Sequence, residues 1–135
     1  RAVYEGVAFA AHQALDTLKI SANVDSDIIS CGGGGFRSAV WTQIRSNVLN
    51  TPLQTLAFGE PGILGAVTLA AIGTGIYSNF DAASTGLAQY GSPYLPDAQE
   101  ADNYSSVFEI YKDAITANAH LGKLLTQAAE ASKNG

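Results

Sequence analysis

The stretch Cys31-Gly32-Gly33-Gly34-Gly35-Phe36-Arg37-Ser38 constrains the chain more than any other. Four consecutive glycines strip a short piece of backbone of every side chain and permit positive φ at each step. Upstream, Asp27-Ile28-Ile29-Ser30-Cys31 is a short apolar run after a polar cluster, the pattern of a buried strand. Downstream, Ser38 stands where an N-cap belongs, ahead of an amphipathic run that begins at Ala39. Strand, glycine loop and helix follow one another. Bare backbone N–H groups beside a helix N-terminus let a phosphate or a flat base approach closely. A plain tight turn is the other local explanation of a glycine run.

Of two familiar phosphate loops, one fails and the other stays as a runner-up. No Lys-Ser or Lys-Thr pair closes the loop, so it is not a P-loop. The spacing Gly33-x-Gly35-x-x-Ser38 approaches a dinucleotide fingerprint, but its third glycine is a serine and Glu60 falls past the end of the next strand.

The rest of the chain supplies a frame. Val3, Val7, Ala10, Ala14 and Leu18 recur at helical spacing from Arg1 to about Lys19 and define an expected buried face, with Glu5, His12, Asp16 and Lys19 on the wet side. His12 and Asp16, four apart, are read as a solvated pair, and Ser21 to Ser26 as a connector. The helix after the glycines carries Val40, Trp41, Ile44 and Val48, with Trp41 as a core anchor and Gln43 and Asn47 pointing elsewhere. Asn50-Thr51-Pro52 stops it, and Leu53 to Phe58 forms a second strand, parallel to the first. Glu60-Pro61 opens a third helix whose run from Ile63 to Ile72 has almost no polar face and is expected to be buried. Asn79 to Tyr94 is loop-like, with one short helical turn around Asp81 to Ala88. Asp97-x-x-Glu100 resembles a capping box for a last helix with an apolar stripe, and Ser132 to Gly135 should fray.

Composition narrows the classes. A chain of 135 residues, 47% hydrophobic and 14% charged, is one globular domain's worth. A net charge of −5 carries no basic stripe for nucleic acid. The longest apolar run is too short to span a bilayer, so no membrane partner is expected and the compartment is cytoplasmic by default. The one cysteine, Cys31, is expected to be a buried, inert thiol. With Arg1 already inside a helix and no methionine, the chain is expected to be a fragment of a longer protein.

Residues 33–44, GGGFRSAVWTQI, resemble the adenosine-binding motif of the FGGY carbohydrate kinases, a glycine triplet leading to Ser-x-x-Trp-x-Gln-Ile. RAVYEGVAFA at the start and EPGILGAVTLAAIGTGIYSNF after the second strand match in order and spacing, and YLPDAQ is similar to the tail of xylulokinases. The resemblance covers nearly the whole chain. It implies an α/β fold, the helix-rich C-terminal part of an actin-like, ribonuclease-H-like ATPase domain with a short parallel strand–helix–strand unit. Residues 1–135 would form the C-terminal nucleotide-binding part of a kinase that phosphorylates a small sugar, with xylulose first in line. Gly33, Gly34 and Gly35 would line the adenosine and α-phosphate, Ser38 would lie near the adenine, and Gln43 would support the helix. The Gly65-Ala66 pair would lie against the nucleotide, and Glu5 would satisfy backbone donors. ATP is the implied cofactor. Magnesium, the catalytic base and the sugar contacts would come mainly from the family's N-terminal domain, leaving this chain without catalytic residues of its own. Phe36 departs from a common alanine, Asn47 from an aspartate and Asn50 from a glycine. A dinucleotide-binding oxidoreductase fragment and a ligand-free interaction module are the alternatives, and a homo-oligomer is expected.

Overall fold

A computed structural model describes residues 1–23 and 26–133. Its first unit, Arg1–Ala101, holds α1 (Ala2–Ala22), β1 (Ile29–Cys31), a 3-10 turn (Gly34–Phe36), α2 (Ala39–Leu49), β2 (Leu53–Thr55), α3 (Pro61–Gly73) and α4 (Phe80–Leu87). Helix α5 (Ala98–Lys133) begins in this unit and makes up the second, from Asp102 on. The strands are shorter than their apolar runs, but they pair parallel as expected, with Ile29 opposite Leu53 and Cys31 opposite Thr55.

A third extended segment flanks β2. Leu53 and Tyr94 exchange both main-chain bonds, at 3.0 and 2.8 Å, and the Gly91 and Ala57 amides donate to Thr55 and Gln89. Tyr90 to Tyr94 therefore runs antiparallel along β2, which becomes the central strand and leaves β1 at the edge. Sequence pattern misses this segment because Gly91, Pro93 and Pro96 punctuate it as loop. The helical turn expected around Asp81 to Ala88 is a full helix, α4, capped by the Asn79 side chain, which accepts from the Ala82 amide at 2.9 Å.

The core of the first unit lies where α1 packs on α2 above β2. Ala8 and Phe9 of α1, Thr42, Ile44, Ser46 and Val48 of α2, and Leu53 of β2 are all buried. The expected face of α1 is reversed. Val3 is 79% exposed and Leu18 59%, while Ala8 and Phe9 are buried and His12, Asp16 and Lys19 are partly covered. Ala8, without side-chain bulk, lets the two helices approach closely, and the apolar stripe is left with little to cover it. Val40 of α2 is likewise exposed, not in the core. Helix α3 is also not buried. Thr68 and Ala71 are buried where α3 meets α4, Leu64 and Ile72 are partly covered, and Ile63, Val67 and Leu69 face outward.

The start of α5 follows its sequence signal. The Asp97 side chain accepts from the Glu100 amide at 2.9 Å, half of a capping box. Glu100 does not complete it but reaches Arg1 at 3.5 Å. Within the second unit Phe108 and Tyr111 stack at 6.2 Å, while Ile110, Leu124 and Leu125 stay exposed. Helix α5 continues through Ser132 and Lys133, and the expected fraying at Asn134 and Gly135 lies outside the described residues. Helix α1 continues to Ala22 in what was read as connector, whose Val24 and Asp25 are also outside them.

Candidate functional site

Parallel strands present their carboxyl ends at one edge, and in α/β sheets that edge is where ligands bind. Here both β1 and β2 deliver the chain to the same edge. β1 runs into the glycine turn and then α2. β2 runs through Gly59 and Glu60 into α3, with Pro61 in its first turn.

The glycines differ in what holds them. A Cβ on Gly32 would lie 2.7 Å from Pro61 Cγ and 3.1 Å from Leu56 Cδ1, so bare backbone there lets the turn sit on the start of α3. Gly33 has φ 96°, ψ 174°, a conformation open to glycine alone. A Cβ on Gly35 would touch Trp41 and Arg45 at 3.4 Å. Gly34 has neither constraint: its φ is not positive, and a Cβ would meet nothing within 4 Å. No contact among the described residues requires glycine at position 34.

Two bonds close the turn, from the Phe36 amide to Gly33 O at 3.0 Å and from the Arg37 amide to Gly34 O at 3.3 Å. As at any helix start, the amides of its first residues have no partner within the turn. Ser38 caps α2 as its sequence position predicts. Its Oγ accepts from the Trp41 amide at 3.4 Å and its carbonyl accepts from the Thr42 amide and Thr42 Oγ1, both at 2.9 Å. The Ser38 hydroxyl keeps a proton to donate. Gly33, Gly34, Gly35 and Ser38 thus stand together on one turn, exposed or partly so.

Side chains brace the turn from α2 and α1. The Arg45 guanidinium lies 3.5 Å from the Trp41 ring centroid and 4.4 Å from that of Phe36, and Nη1 donates to Gly35 O at 3.3 Å. Tyr4 of α1 packs on Trp41 at 5.1 Å. Trp41 Nε1 is buried with no hydrogen-bond partner among the described residues, so this tryptophan acts through its ring rather than its polar tip. Burial pushes the Arg45 pKa down, an effect that Cys31 partly offsets; burial pushes the Cys31 thiol up, opposed by Arg45. Cys31 is buried and reduced, as expected. Across the edge, Arg37 Nη2 pairs with Glu60 Oε1 at 2.8 Å, so the acid that a dinucleotide site would turn toward a ribose is engaged by the loop itself.

Other residues singled out by sequence take supporting places. Gln43 Nε2 donates to Leu95 O at 2.7 Å and to Asn47 Oδ1 at 2.9 Å, and the Asp97 amide donates to the same Asn47 oxygen at 3.0 Å. Gln43 and Asn47 therefore do not point away. They tie α2 to the segment entering α5, and Asn47 is buried. Glu5 accepts from Arg1 Nε at 2.8 Å, and His12 meets Asp16 at 3.7 Å. Gly65 lines a hollow of about 210 Å³ between α3 and α4 with Thr68, Phe80, Ser84 and Pro61, the residue against which Gly32 sits. Among the described residues no three His, Cys, Asp or Glu side chains come together to hold a metal, and no helix is long and apolar enough to cross a membrane. Arg45 and Tyr4 are the site-side residues that sequence reasoning missed. The signal for Arg45 was its place four residues after the only tryptophan, one turn along the same helix.

A glycine turn at the carboxyl edge of a parallel pair, leading into a capped helix, has the geometry of an α/β ligand loop. Family comparison makes it particular: residues 1–74 match the C-terminal domain of the FGGY family of carbohydrate kinases, and the chain belongs to that family. It is 26% identical to the xylulose kinase of Bacillus subtilis over 93% of this chain and 25% of that protein. It is 28% identical to the glycerol kinase of Enterococcus casseliflavus over 87% of this chain and 23% of that protein. It superposes on the ligand-bound xylulose kinase of Lactobacillus acidophilus with a TM-score of 0.77 and 28% identity, covering 88% of this chain and 24% of that one. The chain spans about a quarter of the length of these relatives. Its fold is accordingly the helix-rich C-terminal part of an actin-like ATPase domain, with a short parallel pair.

Proposed function

We propose that this chain supplies the adenosine side of the ATP site in a carbohydrate kinase acting on a small sugar, with xylulose the leading substrate. The observation that carries it is Gly34, a glycine that no neighbour among the described residues requires, on the open face of the turn that follows β1. A ligand coming within van der Waals distance of the main chain accounts for it. Gly33 and Gly35 shape the backbone that such a ligand would meet, and Ser38 offers a hydroxyl proton beside it.

Phosphoryl transfer also needs a metal to neutralise phosphate charge and a group to orient the sugar hydroxyl. In this reading magnesium, the base and the sugar contacts come from the preceding domain of the whole kinase, residues 1–135 are its C-terminal nucleotide-binding part, and they are not catalytic alone. Xylulose rests on the tail resemblance and on the names of several relatives, while a glycerol kinase of comparable similarity keeps the sugar open to test. A cytoplasmic setting, without nucleic-acid or membrane partners, and a homo-oligomeric state belong to the same proposal. The test is calorimetric titration of the chain with ADP and, separately, with NAD. Saturable binding of ADP alone supports the kinase role; NAD binding points to the oxidoreductase alternative, and silence from both to an interaction module.

A further inference from the structure

We propose that Arg45 is a positioning residue of this nucleotide site, holding the glycine turn in its open form by stacking between Phe36 and Trp41 while donating to the Gly35 carbonyl. The inference rests on the nucleotide role proposed above and names a residue that serves it.

The turn cannot hold itself well. Gly33 and Gly34 have no side chains to pack, glycine loses more freedom on ordering than any other residue, and only two main-chain bonds close the turn. Pro61 and the Arg37–Glu60 pair hold its flanks, and α2 braces its middle. Trp41 and Arg45 are one helical turn apart, so their side chains share a face. The guanidinium carbon lies over the Trp41 ring at 3.5 Å and over that of Phe36, the last residue of the turn, at 4.4 Å. Tyr4 supports Trp41 on the α1 side. A planar fork can stack and donate at once, which an ammonium cannot reproduce. The Gly35 carbonyl that accepts from Arg45 belongs to the same peptide unit as the Phe36 N–H that closes the turn onto Gly33. A cationic donor on that carbonyl polarises the peptide and strengthens its N–H bond. Arg45 thereby fixes the backbone on which Gly34 is presented, without itself occupying the open face.

The stack carries its own reporter, because Trp41 is the only tryptophan of the chain. ADP affinity is measured by calorimetry on the wild-type chain, Arg45→Leu and Arg45→Lys, with Trp41 emission followed in the same titrations and thermal unfolding recorded first. Arg45→Leu should weaken ADP binding by about tenfold, the scale of one lost cation–π stack with its hydrogen bond. Arg45→Lys, with the charge kept and the plane lost, should recover only part of it. Saturating ADP should change Trp41 emission in the wild type and no longer do so in Arg45→Leu. Should Arg45→Leu not fold, Arg45→Lys and the wild-type emission carry the test. Wild-type ADP affinity in either folded variant, or an unchanged emission at saturation, would overturn the positioning role while leaving the loop a nucleotide site. A wild-type chain that binds no ADP overturns both.

Discussion

The four glycines make different demands, so substituting them one at a time separates architecture from ligand binding. Ala at 32 forces its Cβ against the Pro61 ring, where the nearest carbon would stand 2.7 Å away. The ring begins α3 and cannot swing aside as a flexible side-chain end would, so overpacking should cost about 1–3 kcal/mol. Ala at 33 must adopt φ 96° with ψ 174°, which costs a side-chain-bearing residue about 1–3 kcal/mol whatever the space around it. At roughly 2.1 cal/mol/K of unfolding entropy per residue, each kcal/mol lowers Tm by about 3–4 °C for a chain of this length. A Cβ at 34 meets open space and no positive φ, so the effect of Val there on stability should stay within about 0.5 kcal/mol, under 2 °C.

Affinity should rank the variants differently. Gly34→Val fills the volume through which a ligand would touch the main chain, and its Kd for ADP should rise at least tenfold, about 1.4 kcal/mol. Differential scanning fluorimetry gives the first column and calorimetry the second. The informative outcome is their dissociation at position 34, with stability kept and affinity lost. A folded Gly34→Val chain that binds ADP as tightly as wild type would refute the nucleotide role of the turn and leave Gly34 an incidental glycine. A Tm fall at 34 matching that at 33 would show that the turn needs glycine there for its own geometry.

Other consequences are more local. Asn47→Ala deletes the oxygen that accepts from both Gln43 and the Asp97 amide in a buried position, and chemical denaturation should show a loss of about 1–3 kcal/mol, whereas Asn47→Asp keeps an acceptor oxygen for both donors and should lose less. Burial raises the Cys31 pKa above its unfolded value, so the folded chain prefers the neutral thiol; that contribution is whole below the unfolded thiol's pKa and is lost as pH rises from there through the folded value, a decline that Cys31→Ala should flatten in denaturation measured from pH 7 to 10. The chain alone should associate, because Ile63, Val67 and Leu69 of α3 and Val3 and Leu18 of α1 lie exposed and β1 is an edge strand; covering ~400 Å² of such surface is worth about 10 kcal/mol gross, much of it offset by association costs. Sedimentation at micromolar concentration should show weight growing with concentration, and a compact monomer throughout would contradict this.

Local chemistry was legible in the sequence; burial was legible for Cys31, Ile44 and Val48 but not for α1 and α3. Ser38 as a cap, Pro61 near a helix start, Asp97 ahead of α5 and the parallel strand–helix–strand order all follow from rules that act over a few residues, where hydrogen-bond geometry leaves little choice. The face of α1 and the burial of α3 depend on what lies opposite, and periodicity records only that some face is apolar. The stripe Val3-Val7-Ala10-Ala14-Leu18 is genuine, yet α2 packs on the side of Ala8 and Phe9. The same limit applies at the site. The glycine run announces a turn, and four identical letters conceal that Gly32 answers to Pro61, Gly33 to its φ, Gly35 to Trp41 and Arg45, and Gly34 to nothing among the described residues. Arg45 was hidden for a related reason: an arginine on an amphipathic helix reads as a solvent-facing charge until the ring it covers is known. An apolar surface left open on α1 and α3 and a glycine left without an internal reason have one form, a sequence feature whose cause lies outside these residues. For Gly34 the proposed cause is a nucleotide. For the helices it is a protein surface, and a chain spanning about a quarter of its relatives' length is the setting in which both are expected together.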